Sequence, residues 1–173
     1  MKNRLFGAGV LALCLFISLA GCSGAAVQTA DVSLGEVSIR EAVIVASPQD
    51  AVAEVYAALP DARVEALDIA KFYSLFPDLT GLVYSYYGCV SDVNGGLADL
   101  MLLAPKEGER ETVRNALLSY QEARIKEFES YDILDAFEIA KAALVYDQGD
   151  YIILTMLPDN EAAQNIIDLH IPL

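Results

Sequence analysis

The chain has 173 residues, and 25 acids outnumber 11 bases to give a formal charge of −14. Such a surface repels phosphate backbones, which argues against nucleic-acid binding and favours cations or basic partners. One histidine in the whole chain excludes a metal site built from several histidines.

Lys2 and Arg4 open the chain, and nothing from Leu5 to Ala20 is charged. A spanning helix usually needs about 20 apolar residues, so this shorter run reads as the h-region of a secretory signal. It ends in Leu19-Ala20-Gly21-Cys22, which resembles the lipobox of bacterial lipoproteins. The resemblance implies that residues 1–21 are a signal peptide. It also implies that Cys22 receives a diacylglycerol and becomes the new N-terminus. Each buried CH₂ contributes about 0.8 kcal/mol, and two acyl chains hold where one does not. The expected location is the cell membrane, lipid-anchored on the extracytoplasmic face. An uncleaved short anchor or a secreted product is the alternative. The leader holds two bases and no acid, so the mature chain is more acidic still. Cys14 leaves with the leader and Cys22 carries lipid, so only Cys89 remains in the body and no disulfide framework forms there. In "YYGCV", Cys89 is expected to pack as a small hydrophobe.

Residues 22–46 are expected to be the lipidated N-terminus and tether. The stretch "SGAAVQTA" is small and polar, as a flexible linker would be. Residues 31–46 are β-branched and partly alternating, which suits a strand. Residues 47–173 then read as a single globular domain. Ser47 is placed as an N-cap, with Pro48 at the first helical position and Asp50 three residues after the cap. Val52, Val55, Tyr56 and Leu59 share one helical face before Pro60. A second helix is expected over 69–76, stopped by Pro77. Two apolar runs, "LVYSYYGCV" and "LADLMLLA", flank Asn94-Gly95 and predict a hairpin with a type I′ turn or a longer loop. Residues 107–130 form the strongest helical pattern, with Val113, Leu117, Tyr120 and Phe128 on one face. A short helix near 132–140 follows, its inner face drawn from Ile133, Leu134, Phe137 and Ala140. "ALVY" and "YIILTML" predict a second hairpin, whose second strand is apolar on both sides and so central and doubly covered. Asp159 or Asn160 caps a final helix carrying Ala163, Ile166 and Ile167.

Single strands do not alternate with long helices, so a doubly wound parallel sheet does not fit. The expected fold class is α+β: a small antiparallel sheet built from two hairpins, with helices packed mainly on one face. The order of landmarks resembles a family of bacterial lipoproteins, domain of unknown function 4358. "LADLMLLAP" is similar to its first well-marked strand. "ALLSYQEARIKEFESY", with Arg124 and then Tyr131, is similar to its long helix. "AALVYDQGDYIILTM", with Gly149 and Tyr151, is similar to its closing hairpin. The resemblance runs over roughly residues 50 to 168 and implies a tethered extracytoplasmic domain. It brings no activity, cofactor or catalytic residue.

Arg124 falls within the apolar stripe of the long helix, between Tyr120 and Phe128. A guanidinium there either clamps a ligand's anion or forms an ion pair that fixes the helix to the sheet. Tyr84 and Tyr86 should share a strand face and Tyr87 the opposite one, so an exposed Tyr84–Tyr86 pair is a candidate platform. The duller use of such rings is burial with a wet hydroxyl. Tyr131 joins these as a candidate contact through the resemblance. His170 lies three residues from the end, where a catalytic base lacks an orienting partner. A calcium loop opening at Asp92 fails, because its twelfth position is Leu103. No phosphate-binding glycine motif is present. The expectation is a non-enzymatic binding module that needs no cofactor or metal, held at the membrane through Cys22 and meeting a protein or peptide partner. A small-ligand or cation binder of an uptake system is the alternative, and an envelope hydrolase the next.

Overall fold

The computed structural model describes residues 47–92 and 95–173. The expected signal peptide, Cys22, the strand expected within 31–46 and Asn94 therefore lie outside the described residues. In chain order come α1 (Pro48–Ala57), β1 (Val64–Ala66), α2 (Ile69–Leu75) and a 3₁₀ turn (Pro77–Leu79). Next are β2 (Val83–Ser91), β3 (Asp99–Pro105), α3 (Arg110–Glu129) and α4 (Ala136–Lys141). β4 (Leu144–Gln148), β5 (Tyr151–Met156) and α5 (Asn160–His170) complete the order.

The five strands form one antiparallel sheet in the order β1-β2-β3-β5-β4. The fold is α+β, and both expected hairpins are present. β5 is central, and Ile152, Ile153 and Leu154 are all fully buried on alternate faces. That pattern needs cover on both sides, and the helices divide to supply it. Val113, Leu117 and Phe128 of α3, Phe72 of α2 and Ala136 and Ala140 of α4 pack on Met101, Leu103, Ile152, Leu154 and Met156. Ala51 and Val55 of α1 and Ala163 and Ile167 of α5 pack on Leu100, Leu102 and Ile153. The larger helical layer lies on the first face, and α1 and α5 close the second.

Several local expectations are corrected. β1 was not expected: three residues with one half-buried side chain give no alternation to read. Of the two connections expected between β2 and β3, the longer loop is the one present, since residues 92–98 separate the strands. The second hairpin is the tighter one, with Gly149 at φ +54° as the first of two connecting residues. Glycine takes that place in a type II′ turn. Ser47 does not cap α1 through its side chain; its hydroxyl donates to Asp50 instead. α4 starts only at Ala136, because Leu134 and Asp135 both have positive φ. Leu134, expected on the inner face, is 72% exposed. His170 is not loose: its Nε2 lies 2.7 Å from Glu54 Oε2, and its carbonyl accepts from Ser47 N–H at 3.0 Å.

Candidate functional site

Asp99 opens β3 and is fully buried. A carboxylate taken out of water must be met by charge or hydrogen bonds. Its Oδ1 accepts from the Ser91 backbone N–H at 2.6 Å and from the Ser91 hydroxyl. Its Oδ2 accepts from the Tyr120 hydroxyl at 2.7 Å and lies 3.3 Å from Arg124 Nε. That last contact is an ion pair without hydrogen-bond alignment, since Nε makes no hydrogen bond. Arg124 Nη1 donates to Glu127 Oε2 at 2.6 Å, and the guanidinium lies 4.9 Å from the Phe128 ring centroid. Three hydrogen bonds and one ion pair thus meet the two oxygens of Asp99 from within the fold.

Protonation follows from this packing. Burial, and then Asp99 beside it, pushes the Tyr120 phenol above its ordinary range. Burial does the same to Tyr56, with Cys89 and Asp99 adding to it. Burial acts to lower Arg124, but Asp99, Tyr120 and Glu127 outweigh it and leave the guanidinium raised. Burial also pushes the half-buried Cys89 thiol up, which keeps it protonated and a poor nucleophile.

The cluster positions a loop. The Ser91 hydroxyl oxygen accepts from Ala98 N–H at 2.7 Å. Across the second face, the Tyr56 hydroxyl of α1 donates to the Ala98 carbonyl at 2.7 Å. Residues 95–98, tied down in this way, form one wall of an open groove of about 320 Å³. Leu59 and Pro60 after α1, Leu134 before α4, and Pro158 after β5 supply the other walls. Among the described residues lining it, Asp61 is the one ionisable group. Leu134 stands at φ 51° and Asp135 at φ 61°, a conformation that bulky L-residues seldom adopt. Gly96, at φ +84°, faces Leu134 closely: a Cβ there would stand 3.3 Å from Leu134 Cδ1. Among the described residues, no group of three or more His, Cys, Asp or Glu side chains could hold a metal ion.

The residues singled out from sequence do not converge. Arg124 belongs to the Asp99 cluster. Tyr84 is 73% exposed, because the register shifts between Val83 and Ser85 and Tyr84 has no partner on β3. Val83 packs on the core instead, so Tyr84 and Tyr86 do not alternate as an unbroken strand would place them. Tyr86 stacks on Phe72 with ring centroids 4.1 Å apart. Tyr87 meets Tyr151 edge-on across the opposite face. Tyr131 is exposed just beyond α3. Asp99, Ser91, Tyr120 and Tyr56 were missed as a set. The available signal was Asp99 itself, an acid inside the apolar run "LADLMLLA", which requires a buried partner.

A family model described as Domain of unknown function (DUF4358) matches residues 62–157, more than half of the chain. The match runs from β1 through β5 and takes in the Asp99 cluster apart from Tyr56; α1 and α5 lie outside it. No curated protein and no solved structure matches the chain. The chain therefore belongs to the DUF4358 family.

Proposed function

We propose that this is a lipid-anchored extracytoplasmic protein of the bacterial cell membrane, whose domain is a non-enzymatic module for a protein or peptide partner. The anchor rests on Leu19-Ala20-Gly21-Cys22 after a charged start and a short apolar run. The observation that carries the binding role is the open groove beside the 95–98 loop, with apolar walls and the exposed Leu134. An apolar surface held open by a polar cluster behind it suits contact with another chain. Residues 23–46 would be the reach between lipid and domain.

In-cell photocrosslinking tests this reading. A photoreactive residue at Leu134 should capture a specific protein, and Cys22→Ala should abolish the capture by releasing the domain from the membrane. The groove's volume also lies at the low end of small-ligand pockets, which favours a small apolar ligand as the second reading. Failure to capture any protein, with purified protein binding small apolar compounds that Leu134→Asp excludes, would favour that second reading.

A further inference from the structure

The groove beside residues 95–98 does not end at its own walls. A second hollow of about 540 Å³ shares Ile139 and Pro158 with it. A third, of about 130 Å³, shares Ala58 and Leu59 with the first and Asp159 with the second. The three make one trough at the end of the sheet where β3 and β4 begin and β5 stops. Its walls are mostly apolar, and Leu134 in the first hollow and Leu144 in the second are exposed. Its charge has one sign. Among the described residues lining it, the ionisable ones are Asp61, Glu138, Asp159 and Glu161. Two of these have partners inside the fold. Lys141 Nζ donates to Glu138 Oε1 at 3.0 Å, and Asp159 accepts from Ala162 N–H at 2.9 Å. Asp61 and Glu161 are exposed, and neither has an ion-pair partner among the described residues. Arg63 packs its stem against Gly95 but does not line the first hollow.

Resting on the protein-partner reading above, we propose that this trough takes a segment of a basic protein. Large apolar side chains of that segment fill the hollows, and Lys or Arg flanking them lies beside Asp61 and Glu161. Apolar walls reward any buried apolar side chain and choose no charge. The acids make the choice: a basic flank is attracted as it approaches, and an acidic flank meets like charge. The same rule disfavours two other occupants. Residues 23–46 carry three acids and one base, and a second copy of the chain brings a formal charge of −14. Either would bring net negative charge to a negative rim. Because Asp61 and Glu161 are exposed, their effect falls on association and its salt dependence more than on the final contact.

Three labelled peptides test this on the intact chain, held in a neutral detergent. The first is Lys-Lys-Leu-Phe-Lys-Lys. The second has Glu in place of every Lys, and the third has Ser in place of Leu and Phe. The first should bind at least about tenfold more tightly than either of the others. Leu134→Ser should weaken it about tenfold by removing an apolar wall. Asp61→Lys with Glu161→Lys should slow its association about tenfold, and raising salt should slow association to the native chain in the same way. Glu107→Lys reverses an exposed acid beyond the opposite end of β3 and should leave binding within about twofold. Equal binding of the first and third peptides, or equal weakening by Glu107→Lys, would overturn the proposal in favour of net charge alone. Equal binding of the first and second, weakened by Leu134→Ser, would overturn it and leave the protein-partner reading standing. Binding of none would also overturn it, and photocapture at Leu134 would then decide separately whether the protein-partner reading survives.

Discussion

Asp99 shows how one buried charge organises its surroundings. Arg124→Met removes the cation beside it but leaves the bonds from Ser91 and Tyr120. The expected cost is about 1–3 kcal/mol, read as a lower midpoint in chemical denaturation. Unchanged stability would take structural weight away from the ion pair. Asp99→Ala is harsher, since it strands Ser91, Tyr120 and Arg124 together. About 3–5 kcal/mol should be lost, and the amides of 95–98 should exchange faster. The phenols predict the response to alkali. Tyr120 and Tyr56 hold their protons more tightly when folded than the ordinary tyrosine value of about 10. Above about pH 10 the unfolded chain releases protons that the folded chain keeps, so stability falls as pH rises. Below that pH the contribution is fully present. Tyr120→Phe should therefore be less stable at neutral pH, yet lose stability less steeply between about pH 10 and 12. An alkaline slope equal to that of the native chain would remove Tyr120 from this account.

Elements were legible where their period was long or their boundary residue unambiguous. α3 could be read from Val113, Leu117 and Phe128, and α5 from Ala163 and Ile167. Asp159 caps α5 by accepting from Ala162 N–H at 2.9 Å, as its residue type suggests. β5 was legible from an apolar run too dense for a half-covered strand. The misses have physical causes. α4 is shortened by two residues in left-handed conformation, which neither Leu134 nor Asp135 announces. The tyrosine pattern of β2 failed because a single register shift at Tyr84 resets the alternation. The candidate groove was hidden for a similar reason: its walls come from four connections far apart in sequence. β2 also contains a strand position with no room for a side chain. Gly88 has φ +147°, and a Cβ there would stand 2.0 Å from the Leu100 carbonyl oxygen. Backbone on both sides cannot yield, so Gly88→Ala should cost about 3 kcal/mol or more, seen as a large fall in thermal midpoint. A midpoint close to that of the native chain would mean the β2–β3 pair can slide apart cheaply.

The domain is an α+β member of the DUF4358 family, covered on both sheet faces and stiffened by a buried acid behind an apolar groove. The proposed role of residues 1–21 as an address rests on charge, run length and the residues before Cys22. Among the described residues, no helix is long and apolar enough to cross a membrane. In the proposed reading attachment is through Cys22, and the acidic chain adds no attraction to anionic headgroups. The proposed anchor would decide which partners the groove can meet. The most direct test is the intact mass of the protein extracted from the membrane of its producing cell. The expected result is a chain that begins at Cys22 and carries the added mass of a diacylglycerol on that residue. An unmodified chain beginning at Met1 would contradict it.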